Sequence, residues 1–263
     1  ITARTAGILG MDEDADLFQK KAARISSAFH SQFYNELTGS YGDAGGNILA
    51  LKMGVPEARK KQVLAALAAE LENSSGHLTT GIIGTRFFFE VLADHGFQQE
   101  AFGAKNKRTE PGFGRWIELG STTTREHWDE SGSFNHPMFG GGLVWLYRKL
   151  AGMQAVPEEA GYRKIIFRPQ PVDNLDFVKY SNITSYGKAG IEWRNTRDYF
   201  QMDVEVPVGS SALVHIPTLE PEKVREKGLQ AKRARGIAYK GMKGEYAVFE
   251  VQSGSYSFEV ARR

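Results

Sequence analysis

The chain has 263 residues, 41% hydrophobic residues, no cysteine and a formal net charge of +2 at pH 7. Its length predicts one large or two medium domains. A charge so close to neutral gives no general argument for binding to nucleic acid or to an anionic membrane. The lack of cysteine excludes disulfides and thiolate-bound metal. No apolar run is long enough to span a bilayer, and composition leaves the cellular compartment open.

In the first half of the chain, apolar residues recur with the spacing that is typical of helices. From Asp12 to Phe33, apolar side chains recur every three or four residues, which predicts one long helix with a stripe at Phe18, Ala22, Ile25, Phe29 and Phe33. Pro56 is expected to open another helix with an apolar stripe at Val63, Leu64, Leu67, Ala68 and Leu71. Further helices are expected over 47–53, 86–95 and 137–150. The connections are of moderate length, so we expect paired helices.

In the second half of the chain, apolar and polar residues alternate, so the period of the pattern changes to two residues. A half-buried strand is predicted from Tyr199 to Val206, where Phe200, Met202, Val204 and Val206 alternate with polar residues. The same alternation recurs over 246–251 and 256–260, with glycines at hairpin-like spacing. Short strands with frequent turns are typical of an antiparallel sandwich. We therefore expect a helical domain over 1–155 and a β-sandwich over 156–263.

A polar stretch between the two halves holds the candidate chemistry. Residues 116–129 and 133–137 bring together a carboxylate, tryptophans, a hydroxyl run and two histidines without an amphipathic period. Such a mixture suits a sugar cleft, where hydroxyls take hydrogen bonds and a carboxylate does acid–base work. Glu126 is the candidate acid–base group, and the alternative is a solvated surface charge. His136 stands before Pro137, where it contacts a ligand or caps the helix.

The other candidate sites have weaker support. His77 and its neighbouring threonines are explained by helix capping. Histidine pairs with metal-ligand spacing, acidic calcium loops and nucleotide-binding motifs are all lacking, so we expect no metal and no cofactor. The basic residues over 223–235 are mixed with glutamate, which favours a solvated hairpin over a nucleic-acid site.

Three motifs stand out in the helical half: HLTTGIIGT at 77–85, GSTTTREHWD at 120–129 and SFNHPMFG at 133–140. In their order and approximate spacing they resemble the bacterial α-L-rhamnosidases of glycoside hydrolase family 78. The resemblance covers residues 12–260 and continues into FRPQP at 167–171 and SGSYSF at 253–258. It implies a multidomain α and β protein, with part of an (α/α)6 six-hairpin barrel followed by an antiparallel β-sandwich.

The resemblance also implies a reaction, the inverting hydrolysis of terminal α-L-rhamnose. One carboxyl group protonates the leaving oxygen and a second activates water on the opposite face of the sugar. Glu126 matches the family's candidate general base and His136 the histidine that contacts the sugar. Trp128 is expected to supply an apolar wall and Asn135 to lie in the substrate segment, while Arg125 or His127 tunes Glu126.

Three departures from the family pattern bear on the substrate and on whether the chain contains the whole catalytic site. Arg125 and His127 stand where the family usually has tryptophan and arginine, and the loop before Ser133 is short. No segment matches the family's general acid. We therefore expect the chain to be the C-terminal part of a larger enzyme, with the rest of the barrel upstream of Ile1 as its partner and a rhamnose-containing glycan as ligand. The alternatives are a non-catalytic carbohydrate-binding or structural piece, and a glycosidase of different sugar specificity.

Overall fold

The computed structural model describes residues 1–262, apart from the side chain of Ala160. These residues form eight α-helices followed by eleven strands. The helices are α1 Thr2–Ile8, α2 Asp12–Phe33, α3 Ala44–Met53, α4 Glu57–Asn73, α5 Ile82–Asp94, α6 Gln98–Lys105, α7 Phe113–Glu118 and α8 Gly141–Trp145. The order of helices before strands confirms the fold class expected from the change of period.

Contacts divide the chain into two compact units. The first contains residues 1–91 and 104–139, and the second contains residues 92–103 and 140–263. Strands begin at Met153. The domain boundary at 155 stays a prediction.

In the first unit, α1 packs on α2 and α3 packs on α4. Three acidic residues in the first turn of α2 complement its dipole. In the predicted stripe of α4, Val63, Leu67 and Leu71 are buried, whereas Leu64 and Ala68 are half-buried. The predicted stripe of α2 is largely uncovered, because Ile25 and Phe33 are each 59% exposed. An apolar row of this kind marks a surface that usually meets another element.

Several helices differ from the sequence prediction. The short helices α1, α6 and α7 were not predicted, and α5 begins at Ile82 instead of residue 86. Residues 137–150 are not one regular helix but a 3-10 turn (Pro137–Gly140), α8 and a π-helical turn (Leu146–Leu150). The carbonyl of Leu150, at the end of the last turn, accepts a hydrogen bond from Trp193 Nε1 at 3.0 Å, a tertiary contact that the helical period does not encode.

The second unit contains two sheets. Their strands are β1 Met153–Ala155, β2 Lys164–Phe167, β3 Phe177–Thr184, β4 Gly187–Asn195, β5 Tyr199–Val206, β6 Ser211–Pro217, β7 Arg225–Glu226, β8 Leu229–Gln230, β9 Ile237–Lys243, β10 Tyr246–Val251 and β11 Gly254–Ala261. The five-stranded sheet has the order β1-β2-β6-β10-β9 and the six-stranded sheet β3-β4-β5-β11-β7-β8. The pairs are antiparallel except β2 with β6.

The inner faces of both sheets are apolar, as the alternation predicts. Phe200, Met202 and Trp193 are fully buried, and Phe249 of one sheet meets Phe258 of the other with ring centroids 5.7 Å apart. The turn before β1 needs Gly152, which has φ of +88°. A Cβ at this position would lie 2.3 Å from the backbone of Arg168, so only glycine permits this close approach.

Candidate active site

The polar stretch folds as a loop over residues 121–136, between α7 and the 3-10 turn at Pro137. Its two arms pair through backbone hydrogen bonds without forming a regular strand. The amide of Glu126 donates to the carbonyl of Ser133 at 3.0 Å, and that of His136 donates to the carbonyl of Thr124 at 2.8 Å. The hydroxyl of Thr124 also donates to the carbonyl of His136 at 2.6 Å. The loop therefore brings Glu126 and His136 into one small region.

The carboxylate of Glu126 is held by the backbone. The amide of Ser133 donates to its Oε2 at 2.9 Å, and this bond is the main reason that the pKa of Glu126 lies below its usual value. Positive charge on His136 and His127 lowers the pKa further. A hydrogen bond to the charged form and nearby cations both favour ionisation. Glu126 is half-exposed and ionised, which are the properties of a general base.

Gly132 makes room for this carboxylate. Its φ is +78°, and a Cβ at this position would lie 2.7 Å from Oε2 of Glu126 and 3.0 Å from the His127 ring. Any side chain there would displace the carboxylate from the amide of Ser133. Gly132 thus leaves the space in which the Glu126 carboxylate reaches the amide of Ser133.

The two residues beside Glu126 behave differently. His127 is exposed, with Nε2 3.9 Å from Oε1 of Glu126. Arg125 is engaged elsewhere: Nε donates to the Ser121 hydroxyl at 2.8 Å, and its guanidinium lies over the Phe134 ring at 4.4 Å. The groups that lower the pKa of Glu126 include His127 and not Arg125. The tuning of Glu126 by either neighbour stays a prediction.

Trp128 joins an aromatic cluster that anchors the loop. It stacks on Trp116 with centroids 4.3 Å apart and contacts Phe139 at 4.5 Å and Phe113 at 5.3 Å. Those three neighbours are each 3% exposed, whereas Trp128 is half-buried. One part of the indole therefore packs inward, and only the remainder is accessible to a ligand. Its role as a sugar wall stays a prediction.

Asn135 and Asp129 complete the loop. The amide of Asn135 donates to the Ser133 hydroxyl at 3.2 Å, and its side chain is exposed. Asp129 accepts from the Ser131 amide at 3.0 Å and the Ser131 hydroxyl at 2.7 Å. These bonds lower the pKa of Asp129. Asp129 therefore stabilises the turn as an anion and is poorly suited to donate a proton.

The structure reveals two positioning features that the sequence prediction missed, the amide of Ser133 and the space at Gly132. The sequence Asp129-Glu130-Ser131-Gly132 contained a signal for the turn that forms these features, because such residues favour tight turns. Within residues 1–262, no group of three or more histidine, aspartate or glutamate side chains is arranged to hold a metal ion. In the same range, no helix has the length and hydropathy needed to cross a membrane.

A sugar-binding surface on the sandwich would need exposed, coplanar aromatic side chains, and the residues that could supply them are Tyr180, Tyr186, Trp193, Tyr199 and Tyr239. Trp193 is fully buried, and Tyr180 stacks on Tyr147 at 4.8 Å. Tyr239 packs against Phe249 at 5.4 Å. Tyr186 is exposed and Tyr199 half-buried. These five side chains do not form a common exposed platform.

Comparison with known protein families covers most of the chain. Residues 1–150 match the bacterial alpha-L-rhamnosidase 6 hairpin glycosidase domain, and residues 152–230 match the bacterial alpha-L-rhamnosidase C-terminal domain. An alpha-L-rhamnosidase of Streptomyces avermitilis is 32% identical over 99% of this chain. The aligned region is 25% of that relative, so the chain spans about a quarter of its length.

Two solved structures are similar to the chain. The alpha-L-rhamnosidase from Dictyoglumus thermophilum aligns over 99% of this chain and 30% of its own, with a TM-score of 0.89 and 34% identity. The Streptomyces avermitilis alpha-L-rhamnosidase complexed with L-rhamnose aligns over 98% of this chain and 25% of its own, with a TM-score of 0.87 and 30% identity. These similarities confirm the six-hairpin helical region followed by an antiparallel β-sandwich.

Proposed function

The chain belongs to the bacterial alpha-L-rhamnosidase family, and we propose that it carries the general-base half of a glycosidase site. The substrate is terminal α-L-rhamnose on a glycan or glycoside, and the reaction inverts the anomeric centre. One observation carries the proposal: the Glu126 carboxylate is fixed by the Ser133 amide, remains accessible and has a lowered pKa.

A general base must be ionised and must present a free lone pair to water. The Ser133 amide occupies Oε2 of Glu126, which leaves Oε1 for a water molecule. The carboxylate then accepts a proton as the water attacks the anomeric carbon. In an inverting glycosidase the second carboxyl group lies about 6.5–9.5 Å away and protonates the leaving oxygen.

The second carboxyl group is proposed to come from the part of the family's barrel that this chain does not span. Asp129 is a poor general acid because its hydrogen bonds with Ser131 stabilise the anion. Glu118 is paired with Arg108 at 3.0 Å. The exposed apolar row of α2 supports the same conclusion, since Ile25 and Phe33 offer a surface for further barrel helices.

Substrate contacts are assigned to the side chains around Glu126. His136 and Asn135 are proposed to hold rhamnose hydroxyls, and the accessible part of Trp128 to face the C–H surface of the ring. His127 adjusts the charge of Glu126. Arg125 shapes the loop through Phe134 and Ser121 and is a determinant of sugar preference, because it departs from the family pattern.

A longer enzyme containing the chain provides the test. Residues 1–263 replace the aligned quarter of the Streptomyces avermitilis relative, and hydrolysis of an aryl α-L-rhamnoside is followed by NMR. We expect β-L-rhamnose as the first product. Glu126→Gln should lower kcat by about 10²–10⁴-fold, the usual contribution of a general base, and Glu118→Gln is the matched control with near-normal turnover.

Two results would contradict the assignment: normal turnover by Glu126→Gln, or α-L-rhamnose as the first product. A second measurement does not depend on the folding of the chimaera. The 263-residue chain is titrated with L-rhamnose, and the NMR signals of Glu126 and His136 should shift while that of His77 stays constant. The chain alone should show no turnover.

A further inference from the structure

A groove of about 500 Å³ lies on the outer face of the five-stranded sheet. This volume falls within the range of roughly 300–1,000 Å³ that is usual for ligand sites. Its floor is apolar and consists of Ile166, Leu213 and Val248. Ile166 is paired with Leu213 across β2 and β6, and Val248 is paired with His215 across β10 and β6. The floor is therefore set by regular strand pairing.

The rim of this groove carries more positive than negative charge. Five cationic residues and one carboxylate line it: Lys149, Lys164, Arg168, Lys240, Lys243 and Glu250. Lys164 and Lys240 share Glu250 at 3.0 Å each, and Lys149 pairs with Asp94. Within the described part of the chain, neither Arg168 nor Lys243 has a carboxylate at ion-pair distance. The excess positive charge of the rim is therefore concentrated at the end of the groove that contains Arg168 and Lys243.

His215 lies at that end and is 3% exposed. Its Nδ1 has no hydrogen-bond partner among residues 1–262, and the same holds for Nε of Arg168. Burial, together with the charges of Arg168 and Lys243, lowers the pKa of His215 to about 4. A buried polar atom without a partner carries the full cost of its lost hydration. An oxyanion in the groove would supply the missing acceptor.

We propose that this groove binds a carboxylate-bearing sugar of an acidic glycan, with Arg168, His215 and Lys243 around the carboxylate. The apolar floor receives a C–H face of the sugar ring. Among the described residues, His215 is the only aromatic side chain that lines the groove, so the groove offers little stacking surface for the bases of a nucleic acid. The proposal does not depend on the role of Glu126 and can succeed or fail independently of it.

Calorimetry on the 263-residue chain tests this site. The probe is a short oligogalacturonate, compared with its carboxyl-reduced neutral form and with a polyglutamate peptide of equal charge. We expect the oligogalacturonate to bind and both comparison ligands to bind at least tenfold more weakly. The ring signals of His215 should shift in NMR spectra only with the oligogalacturonate. Equal binding of the neutral oligomer or of polyglutamate would overturn the proposal.

Two variants with the same change of charge locate the binding. Lys243 is exposed, so Lys243→Gln should keep the fold and weaken binding about tenfold, as expected for one charge-assisted hydrogen bond. Lys188→Gln removes a lysine of the six-stranded sheet that pairs with Glu205 at 3.0 Å and should leave binding unchanged. Equal weakening by both variants would show unspecific attraction and would reject the groove as a site.

Discussion

The loop at 121–136 and the β-sandwich are ordered by different forces. In the loop, single hydrogen bonds between side chains and backbone fix individual residues, as with Ser133 and Glu126, and Trp128 supplies one aromatic anchor. In the sandwich, alternating apolar residues from two sheets share one buried core around Trp193 and Phe249. Burial of apolar surface contributes about 25 cal/mol per Å², whereas a hydrogen bond contributes about 1 kcal/mol net.

This difference predicts a division between stability and function. A change in the sandwich core should destabilise the fold strongly and leave the chemistry of Glu126 unaltered. A change in the loop should cost little stability and alter the position or pKa of Glu126. Four experiments examine this division, in order of decreasing effect.

Removal of the Trp193 side chain should have the largest effect on stability. The indole is fully buried and donates to the carbonyl of Leu150 at 3.0 Å. Trp193→Ala should lower the free energy of unfolding by about 3–5 kcal/mol, measured by denaturant titration with circular dichroism. Phe177→Ala, at a residue that is 56% exposed, is the control and should cost less than about 1 kcal/mol. Similar losses for both would show that the sandwich is not held by its core.

Two glycines in the loop region distinguish the effect of backbone strain from the effect of displacing the Glu126 carboxylate. Gly132 and Gly120 both have φ of +78°, but only at Gly132 would a Cβ approach Glu126. Alanine at either position should cost about 1–2 kcal/mol of backbone strain. Only Gly132→Ala should also raise the pKa of Glu126 in a carboxyl NMR titration and lower kcat of the chimaeric enzyme by about tenfold. If Gly120→Ala has the same effects, displacement of the carboxylate is not the cause.

The hydroxyl of Thr124 tests how the two arms of the loop are held together. Thr124→Val removes the bond to the carbonyl of His136 and should cost about 1 kcal/mol of stability. Thermal unfolding measures the loss, and Thr122→Val, at an exposed residue, should be close to neutral. A larger loss than that of Trp193→Ala would reverse the comparison between the two regions.

The smallest effect concerns the charge of His136. Protonated His136 lowers the pKa of Glu126, so His136→Gln should raise that pKa slightly in a carboxyl NMR titration. The lowered pKa in the folded state means that ionised Glu126 stabilises the protein above its unfolded pKa, and that this contribution disappears as the pH falls. His136→Gln should therefore make this contribution smaller, and its loss should be complete at a slightly higher pH. His77→Gln, the control, should leave the titration of Glu126 unchanged, and an equal shift in both variants would exclude the proposed contact.

Much of the fold could be predicted because its signals are local. The period of apolar residues located α2 and β5 at their observed bounds, and the change of period identified the order of helices and sandwich. The short helices α1, α6 and α7 escaped prediction because six to eight residues hold too few turns to show a period. The irregular turns over 137–150 escaped it because a contact with Trp193 fixes their end.

The sequence by itself determined the family, the succession of helices and strands, and the choice of Glu126 and His136 as candidates. Residue type and spacing along the chain are enough for these conclusions. Only the tertiary structure showed that the Ser133 amide and the space at Gly132 position Glu126, and that Arg168, His215 and Lys243 line the end of one groove. Hydrogen-bond geometry, burial and pKa arise where residues distant in sequence meet, and a linear pattern does not contain those distances.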